Sequence, residues 1–456
     1  MTSPPRTGLF FLTAALLTAC GGRSQLRDSG SVGVGGSGGA GPSTTTVSVS
    51  SAGGFGGAGG FVDVGGSGGM LAGCVVDGAP IGLAGTQGYV TSDPVFVTPI
   101  QVDSTTLVAA WQANEGPSTP PIELRHTSFQ PWGPWPADAT LGPSYLATYD
   151  GGQGFYAAPS QTDFSLVFAS PSPGTGLIYL SHLTPGKGFA GVAEALIGGP
   201  AQPLFLERGT DPQVHLLGSF TSSAGVHVFN TLHRNDTGPG EFFAFGLGCA
   251  LDPIAAGAAP FGEDFFVAFA SGSGFDDPGC ATGAGITTAN RLQLARVTKD
   301  GNVTWLQEIK GNGGGETITT VKVVPRLDGA WVAWTGSFKG PMLHVVRLDS
   351  LGQPTGAQFG VPFFGDVSSL SATSLGDRLA LAWSGSAADA PSQIRINLLS
   401  TFGNLDADLS INLGPSAMGR TALLGSPSNK GLLVAWSEEA LLGPQIRMAR
   451  LACSLP

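Results

Sequence analysis

The chain has 456 residues, of which 72 are Gly and 33 Pro, and only 12% are charged. So few charged helix formers beside so many turn formers excludes an ordinary helical protein and suits an all-β one with many tight turns. The formal net charge is -11, with no basic cluster, so the chain lacks the electrostatic footprint of a nucleic-acid binder.

Residues 1–19 read as an export signal. Arg6 gives a positive start, and Leu9–Leu17 is an apolar run about half as long as a spanning helix needs. The run ends in Leu17-Thr18-Ala19-Cys20. This ending resembles the lipobox of bacterial lipoproteins: a Leu, two small residues and a Cys. The resemblance implies that Cys20 takes a diacylglycerol and that the mature chain starts there. Gly21 stands where an Asp retains many Gram-negative members in the inner membrane. The resemblance therefore implies an exported, lipid-anchored protein at the outer membrane or cell surface of a Gram-negative bacterium.

Residues 20–73 are the anchor Cys and a linker. Within 21–73, 20 residues are Gly, with Ser, Thr and Ala between them. Such a segment has too little apolar surface to offset its ordering entropy, so it is expected to be disordered. Its coil span is on the order of 40 Å. Gly35–Gly39 and Gly65–Gly69 both match G-x-S-x-G. A hydrolase elbow needs a strand running into a helix, and a Gly/Ser tract offers neither.

From residue 74 onward one pattern recurs. A short apolar run, often closed by an aromatic, appears at Leu107–Trp111, Leu166–Ala169, His215–Phe220, Phe266–Phe269, Trp331–Trp334, Leu379–Trp383 and Leu432–Trp436. Successive runs lie about 50 to 65 residues apart, a period that signals repeat architecture. Each run suits a strand buried on both faces. Strands of alternating polarity follow, as at Met342–Leu348, Gln393–Leu398 and Gln445–Leu451. Then comes a turn such as Thr298–Asn302 or Asp349–Gly352, rich in residues that tolerate positive φ, and a last strand, as at Val303–Ile309 or Asp408–Leu413. With an entry strand, each unit holds four. Residues 74–456 are thus expected to form an all-β, seven-bladed β-propeller of four-stranded antiparallel blades. Six or eight blades stay open, because the third unit is weak. Two stacked β-sandwiches are disfavoured by the fixed period.

The seventh unit has strands near 420–424, 432–436 and 445–451 and lacks a fourth. The stretch Cys74–Leu83 precedes the first unit and has no unit of its own. Pairing it with residues 445–453 would complete the seventh blade and remove an unpaired edge. That pairing would set Cys74 beside Cys453.

Five cysteines occur. With Cys20 lipidated, Cys74, Cys249, Cys280 and Cys453 remain, an even number in an exported chain. The expected pairs are Cys74–Cys453 and Cys249–Cys280. No C-x-x-C or suitable His flanks them, so no metal or other cofactor is expected. No H-E-x-x-H, EF-hand loop or Walker motif occurs among the six histidines and Gly-rich turns. His215, His227 and His344 alternate with apolar neighbours and are expected to face solvent or pack between blades.

Thr298-Lys299-Asp300-Gly301-Asn302-Val303-Thr304-Trp305 resembles the Asp box of sialidase-type propellers, with Thr for Ser and Asn302 for Gly. The resemblance implies a structural turn between the last two strands of a blade. The other units do not repeat the box, and no Tyr–Glu pair or arginine triad can be assembled. Ligand contacts are expected on loops: Glu115 in 112–121, Asp276 and Asp277 in 271–290, and Trp132 and Trp135 in a Pro/Gly turn. The two Trp could stack on sugar, though such a turn more often plugs the space between blades. The expectation is a membrane-anchored scaffold that binds a glycan or another surface protein. The alternative is a propeller glycan hydrolase or lyase, which needs a converging acid and base.

Overall fold

The structure, a computed structural model, describes thirty-one strands from Gly73 to Ser454. It also describes residues 77–80, 130–133, 255, 262–263, 298, 317–319, 327–328, 350–353, 376–377, 400–404, 420 and 426–430. The chain divides into two units, Met1–Gly60 and Phe61–Pro456, and every described residue belongs to the second. No helix occurs among the described residues.

The chain enters with β1 (Gly73–Val76) and β2 (Ile81–Leu83), which belong to the last sheet rather than the first. Sheet 1 holds β3 (Tyr89–Val90), β4 (Val95–Val97), β5 (Leu107–Asn114), β6 (Ile122–Phe129) and β8 (Tyr145–Tyr149), while β7 (Thr140–Leu141) joins β2 in parallel. Sheet 2 is β9 (Tyr156–Pro159), β10 (Leu166–Pro171), β11 (Ile178–Thr184) and β12 (Gly188–Ala195). Sheet 3 is β13 (Ala201–Arg208), β14 (Gln213–Ser222), β15 (Gly225–Arg234) and β16 (Phe242–Gly248). Sheet 4 is β17 (Ala256–Phe261), β18 (Asp264–Ser271), β19 (Arg291–Val297) and β20 (Val303–Ile309). Sheet 5 is β21 (Thr320–Arg326), β22 (Gly329–Gly336), β23 (Met342–Asp349) and β24 (Pro354–Pro362). Sheet 6 is β25 (Asp366–Leu375), β26 (Arg378–Ser386), β27 (Gln393–Leu399) and β28 (Leu405–Asn412). Sheet 7 adds β29 (Thr421–Gly425), β30 (Gly431–Ala440) and β31 (Gly443–Ser454) to β1, β2 and β7.

Sheets 2 to 6 are therefore four-stranded and antiparallel, and every aromatic-closed run is the second strand of its sheet. Sheet 1 differs from the expected four strands because its entry strand is split into β3 and β4, both paired with β5. The strand expected at 408–413 runs instead from Leu405 to Asn412, since it starts directly after the preceding turn.

Among the described side chains, the second strands of sheets 4 to 7 are buried on both faces, as their unbroken apolar runs require. All of β22 is buried, as are Phe265–Ala270, Leu379–Ser384 and Gly431–Ser437. Alternate side chains enter different cores. Val332 and Trp334 pack with Phe266 and Leu294 of sheet 4, whereas Trp331 and Ala333 pack with Leu381 and Trp383 of sheet 6. Ala380 and Ala382 meet Leu432, Val434 and Trp436 of sheet 7. Leu433 and Ala435 meet Phe129 and Trp132 beyond β6 of sheet 1. Among the described side chains, sheets 4, 5, 6, 7 and 1 thus stack face to face in that order, each core shared by two neighbours.

The first strands touch in an unbroken cycle: β4 with β9, β9 with β13, β13 with β17, β17 with β21, β21 with β25, β25 with β29, and β29 with β4. These inner strands approach closely. A Cβ on Gly257 would sit 2.9 Å from the Val321 carbonyl oxygen, and one on Gly425 would sit 2.3 Å from that of Ser374. Between β25 and β29 the hydroxyls are tied together: the Ser369 and Thr421 oxygens lie 3.0 Å apart, and the Ser371 hydroxyl donates to the Thr421 carbonyl at 2.6 Å.

The ring closes where the sequence predicts. β1 pairs antiparallel with β31, Cys74 opposite Cys453, and β2 continues the same edge with Ile81 opposite Met448. The β1 pairing starts at Gly73, one residue before the expected boundary. Cys74 and Cys453 form a disulfide with Cα atoms 4.0 Å apart. The Cys453 amide donates to the Lys430 carbonyl on the β30 side. Cys74 and Cys453 therefore form a non-hydrogen-bonded pair, the closer of the two antiparallel pair types. On β31, Ile446 and Met448 face the core shared with sheet 1, whereas Ala449, Leu451 and Cys453 face the core shared with sheet 6. β31, expected to alternate in polarity, is therefore buried on both faces at these positions.

Two outcomes follow for stability. The disulfide spans a sequence separation of 379, so replacing Cys74 and Cys453 with Ser should cost roughly 4 to 5 kcal/mol in the chain-entropy account. Urea titration should show that loss, and a reductant should destabilise the parent but not the double variant by this route. Gly425→Ala should cost about 2 to 3 kcal/mol, because the new methyl overlaps the Ser374 carbonyl and separates inner strands. A melting temperature unchanged by Gly425→Ala would contradict the close approach.

Candidate functional site

Strand direction alternates within each sheet, so the turns joining first to second and third to fourth strands gather on one rim. Connections between second and third strands emerge on the opposite rim. Glu115, Asp276, Asp277 and Cys280 fall in those connections and lie outside the described residues, as do Cys20, Trp135 and Cys249. The Cys249–Cys280 pairing likewise lies outside them. Trp132 is described: it packs half-buried on the core between sheets 7 and 1, the arrangement expected of a plug between blades. A Cβ on Gly431 would sit 3.3 Å from its ring.

Two described turns of this rim share one frame. In Asp349-Ser350-Leu351-Gly352-Gln353 the Asp349 carboxylate accepts from the amides of Leu351 at 2.9 Å and Gln353 at 2.8 Å. Gly352 has φ 74°, a left-handed conformation that favours glycine. Ser400-Thr401-Phe402-Gly403-Asn404 repeats this with the Ser400 hydroxyl accepting from Phe402 and Asn404 and with Gly403 at φ 85°. Thr298-Lys299-Asp300-Gly301-Asn302 aligns in sequence with both. Residues 299–302 and the Trp305 side chain lie outside the described residues. The Asp box itself is not repeated, but its frame is: an oxygen-bearing residue, two free positions, Gly, then an amide residue. Each of these three hairpins carries a β-bulge beside the turn.

Hydrogen bonds join turn to turn along the rim. Gln307 of sheet 4 donates to the Gly352 carbonyl and accepts from Gln353 of sheet 5. Arg347 of sheet 5 donates to the Thr401 carbonyl of sheet 6 at 3.1 Å. The Gly376 amide of sheet 6 donates to Asn429 of sheet 7 at 3.0 Å. Arg450 of sheet 7 donates to Asp77 at 2.7 Å and to the Gly133 carbonyl beyond sheet 1 at 2.8 Å. A belt thus runs from sheet 4 through sheets 5, 6 and 7 to sheet 1.

Within sheets, a third-strand arginine pairs with an acid near the first turn. Arg296 meets Asp264 at 2.8 Å, and Arg347 meets Asp328 at 3.0 Å. Arg326 is unusual. Its side chain is 5% exposed, it meets Asp328 at 3.2 Å, and it lies 4.8 Å over the Trp331 ring. Its Nε and Nη1 have no hydrogen-bond partner among the described residues. Burial, then the Arg347 charge, lowers its pKa, against the opposing pull of Asp328 and Asp377. His344 is buried and stacks on Trp334 with ring centroids 5.1 Å apart, packing between sheets rather than facing solvent. No cluster of three metal-ligating side chains occurs among the described residues.

Five large apolar side chains stand exposed among the described residues: Val75, Leu327, Leu351, Phe402 and Leu405. Leu327, Leu351 and Phe402 sit at turn apices of this rim, Leu405 directly follows the Ser400–Asn404 turn, and Val75 lies on the entering strand.

No protein-family model matches the chain, and no curated protein matches it. Solved structures do. A neuraminidase-like protein from A/little yellow-shouldered bat/Guatemala is 12% identical over 84% of this chain and 99% of its own, with a TM-score of 0.43. A candidate 6-phosphogluconolactonase from Bacteroides uniformis is 13% identical over 70% and 85%, with a TM-score of 0.46. The NanB sialidase of Streptococcus pneumoniae is 10% identical over 80% and 69%, with a TM-score of 0.40. The ring stands on the contacts of its own sheets, and these likenesses bring no activity to it.

The Arg326 cluster makes a stability prediction. Arg326→Met keeps the stem on Trp331 and removes a buried cation, so stability should change by less than about 1 kcal/mol. Asp328→Ala leaves Arg326 and Arg347 without their shared carboxylate. It should cost about 1 to 2 kcal/mol, less than a fully buried pair because Asp328 is 58% exposed. Denaturation midpoints for the two variants give the order.

Proposed function

We propose that the seven sheets are seven blades of a β-propeller, carried outside the cytoplasm on a lipid anchor at Cys20. In this reading the propeller is a binding scaffold for a glycan or another surface protein. The observation that carries it is the Cys74–Cys453 bridge across the two ends of the ring. Structural disulfides persist in oxidising compartments, which is where the Leu17–Cys20 ending would deliver the chain.

The scaffold reading is supported by what the described charged groups do. Asp77, Asp264, Asp328 and Asp349 each hold an arginine or cap a turn. These groups serve the frame. Recognition then falls to the second-to-third-strand connections, of which residues 272–290 are the longest, with Asp276 and Asp277, and to Glu115. In this reading the anchor is the acyl chain on Cys20.

Replacing Cys20 with Ser should move the full chain from the membrane fraction to the soluble one and abolish palmitate labelling. A variant that stays membrane-bound and still labels would refute the anchor. The released full chain, run on a glycan array beside a glycosidase screen, should show binding without turnover. Turnover of any glycan would replace the scaffold by the hydrolase reading.

A further inference from the structure

We propose that the turn rim of sheets 5, 6 and 7 docks on a zwitterionic lipid surface, the membrane that holds the anchor. The proposal rests on the anchored reading of Cys20 and adds an orientation to it. Its first support is where the chain enters. Gly73 pairs with Ser454, and the neighbouring Cys453 amide bonds to Lys430 in the turn between β29 and β30. The linker therefore joins the ring on the turn rim, and that rim can face the anchoring membrane without the linker passing around the ring.

The second support is the chemistry of the rim. Leu327 is 95% exposed, Phe402 77% and Leu351 66%. They occupy separate turn apices of sheets 5 and 6, and the bond from Arg347 to the Thr401 carbonyl ties sheet 5 to the turn that carries Phe402. A protein partner favours a contiguous apolar centre inside a polar rim. Isolated Leu and Phe tips on rigid turns instead suit shallow insertion at the boundary between headgroups and acyl chains. Each tip also removes apolar area from water on insertion.

The third support is charge. On sheets 5 to 7 the described rim carries Asp77, Asp328, Asp349 and Asp377 against Arg326, Arg347, Arg378, Lys430 and Arg450, with Asp77 and Asp328 held in ion pairs. Opposite charges nearly balance there, so attraction to a membrane must come from the apolar tips rather than from headgroup charge. Docking should therefore be complete on zwitterionic lipid and need no anionic lipid.

The test uses the full lipidated chain in phosphatidylethanolamine-rich vesicles, read by flotation and by amide hydrogen exchange. Relative to the soluble Cys20→Ser chain, amides at 350–353 and 400–404 should exchange about tenfold more slowly on the vesicles. The combined variant Leu327→Ser, Leu351→Ser and Phe402→Ser should still float and keep its melting temperature, yet lose the protection. Adding phosphatidylglycerol should leave the protection in the parent unchanged, and protection that appears only with phosphatidylglycerol would overturn docking on zwitterionic lipid. If the chain floats and these turns exchange as in the soluble form, docking is refuted while the anchor stands. Protection that arises only when membrane proteins are added assigns the rim to a protein partner and overturns the proposal. A chain that does not float removes both the anchor and the docking.

Discussion

The pairing of β1 and β2 with β31 is the contact on which the rest depends. In a ring of stacked sheets each core is shared by two neighbours, so no sheet is complete alone. If β1 and β2 left β31, the core holding Cys74, Leu432 and Leu451 would open on one face. The core holding Ile81, Ile446 and Met448 would open on the other. Two interfaces would be lost for one broken pairing. The disulfide and the Arg450 contacts fall at this seam, where Arg450 joins the last strand, the entering chain and the loop beyond sheet 1.

The same logic explains the placement of charge. The interiors of sheets 4 to 7 are mainly apolar on both faces, and among the described residues the ion pairs lie toward strand ends. Arginines on third strands reach acids at the first turns, and the remaining donors reach across to the next sheet. The belt that results couples successive sheets at one rim. Arg326 shows the cost of the scheme: it is drawn under Trp331, away from water, with two of its nitrogens unpaired.

Much of this was legible in the residues. Apolar runs too continuous for an alternating strand mark strands buried on both faces, and β18, β22, β26 and β30 are such strands. The missing fourth strand of the last unit, set against a spare strand at Cys74–Leu83, predicts the closure that the antiparallel pairing of Cys74 with Cys453 realises. The turn frame was only half legible. The Asp box resemblance drew attention to Asp300 and Trp305, whereas the recurring elements are the capping oxygen and the Gly three residues later. A search by acid alone passes over Ser400, because a hydroxyl performs the same capping as the Asp349 carboxylate.

The sequence by itself determined the strand set, the period and the two ends that must meet, because these follow from local alternation and from counting strands. Only the tertiary structure decided which face of each strand meets which neighbour, how the rim belt runs, and that Trp132 fills the seam between sheets 7 and 1. Those depend on contacts such as Arg450 to Gly133 or Arg347 to Thr401, between residues of different sheets. No local pattern encodes them: an arginine beside a leucine reads the same whether it faces solvent, an acid of its own sheet or the carbonyl of the next.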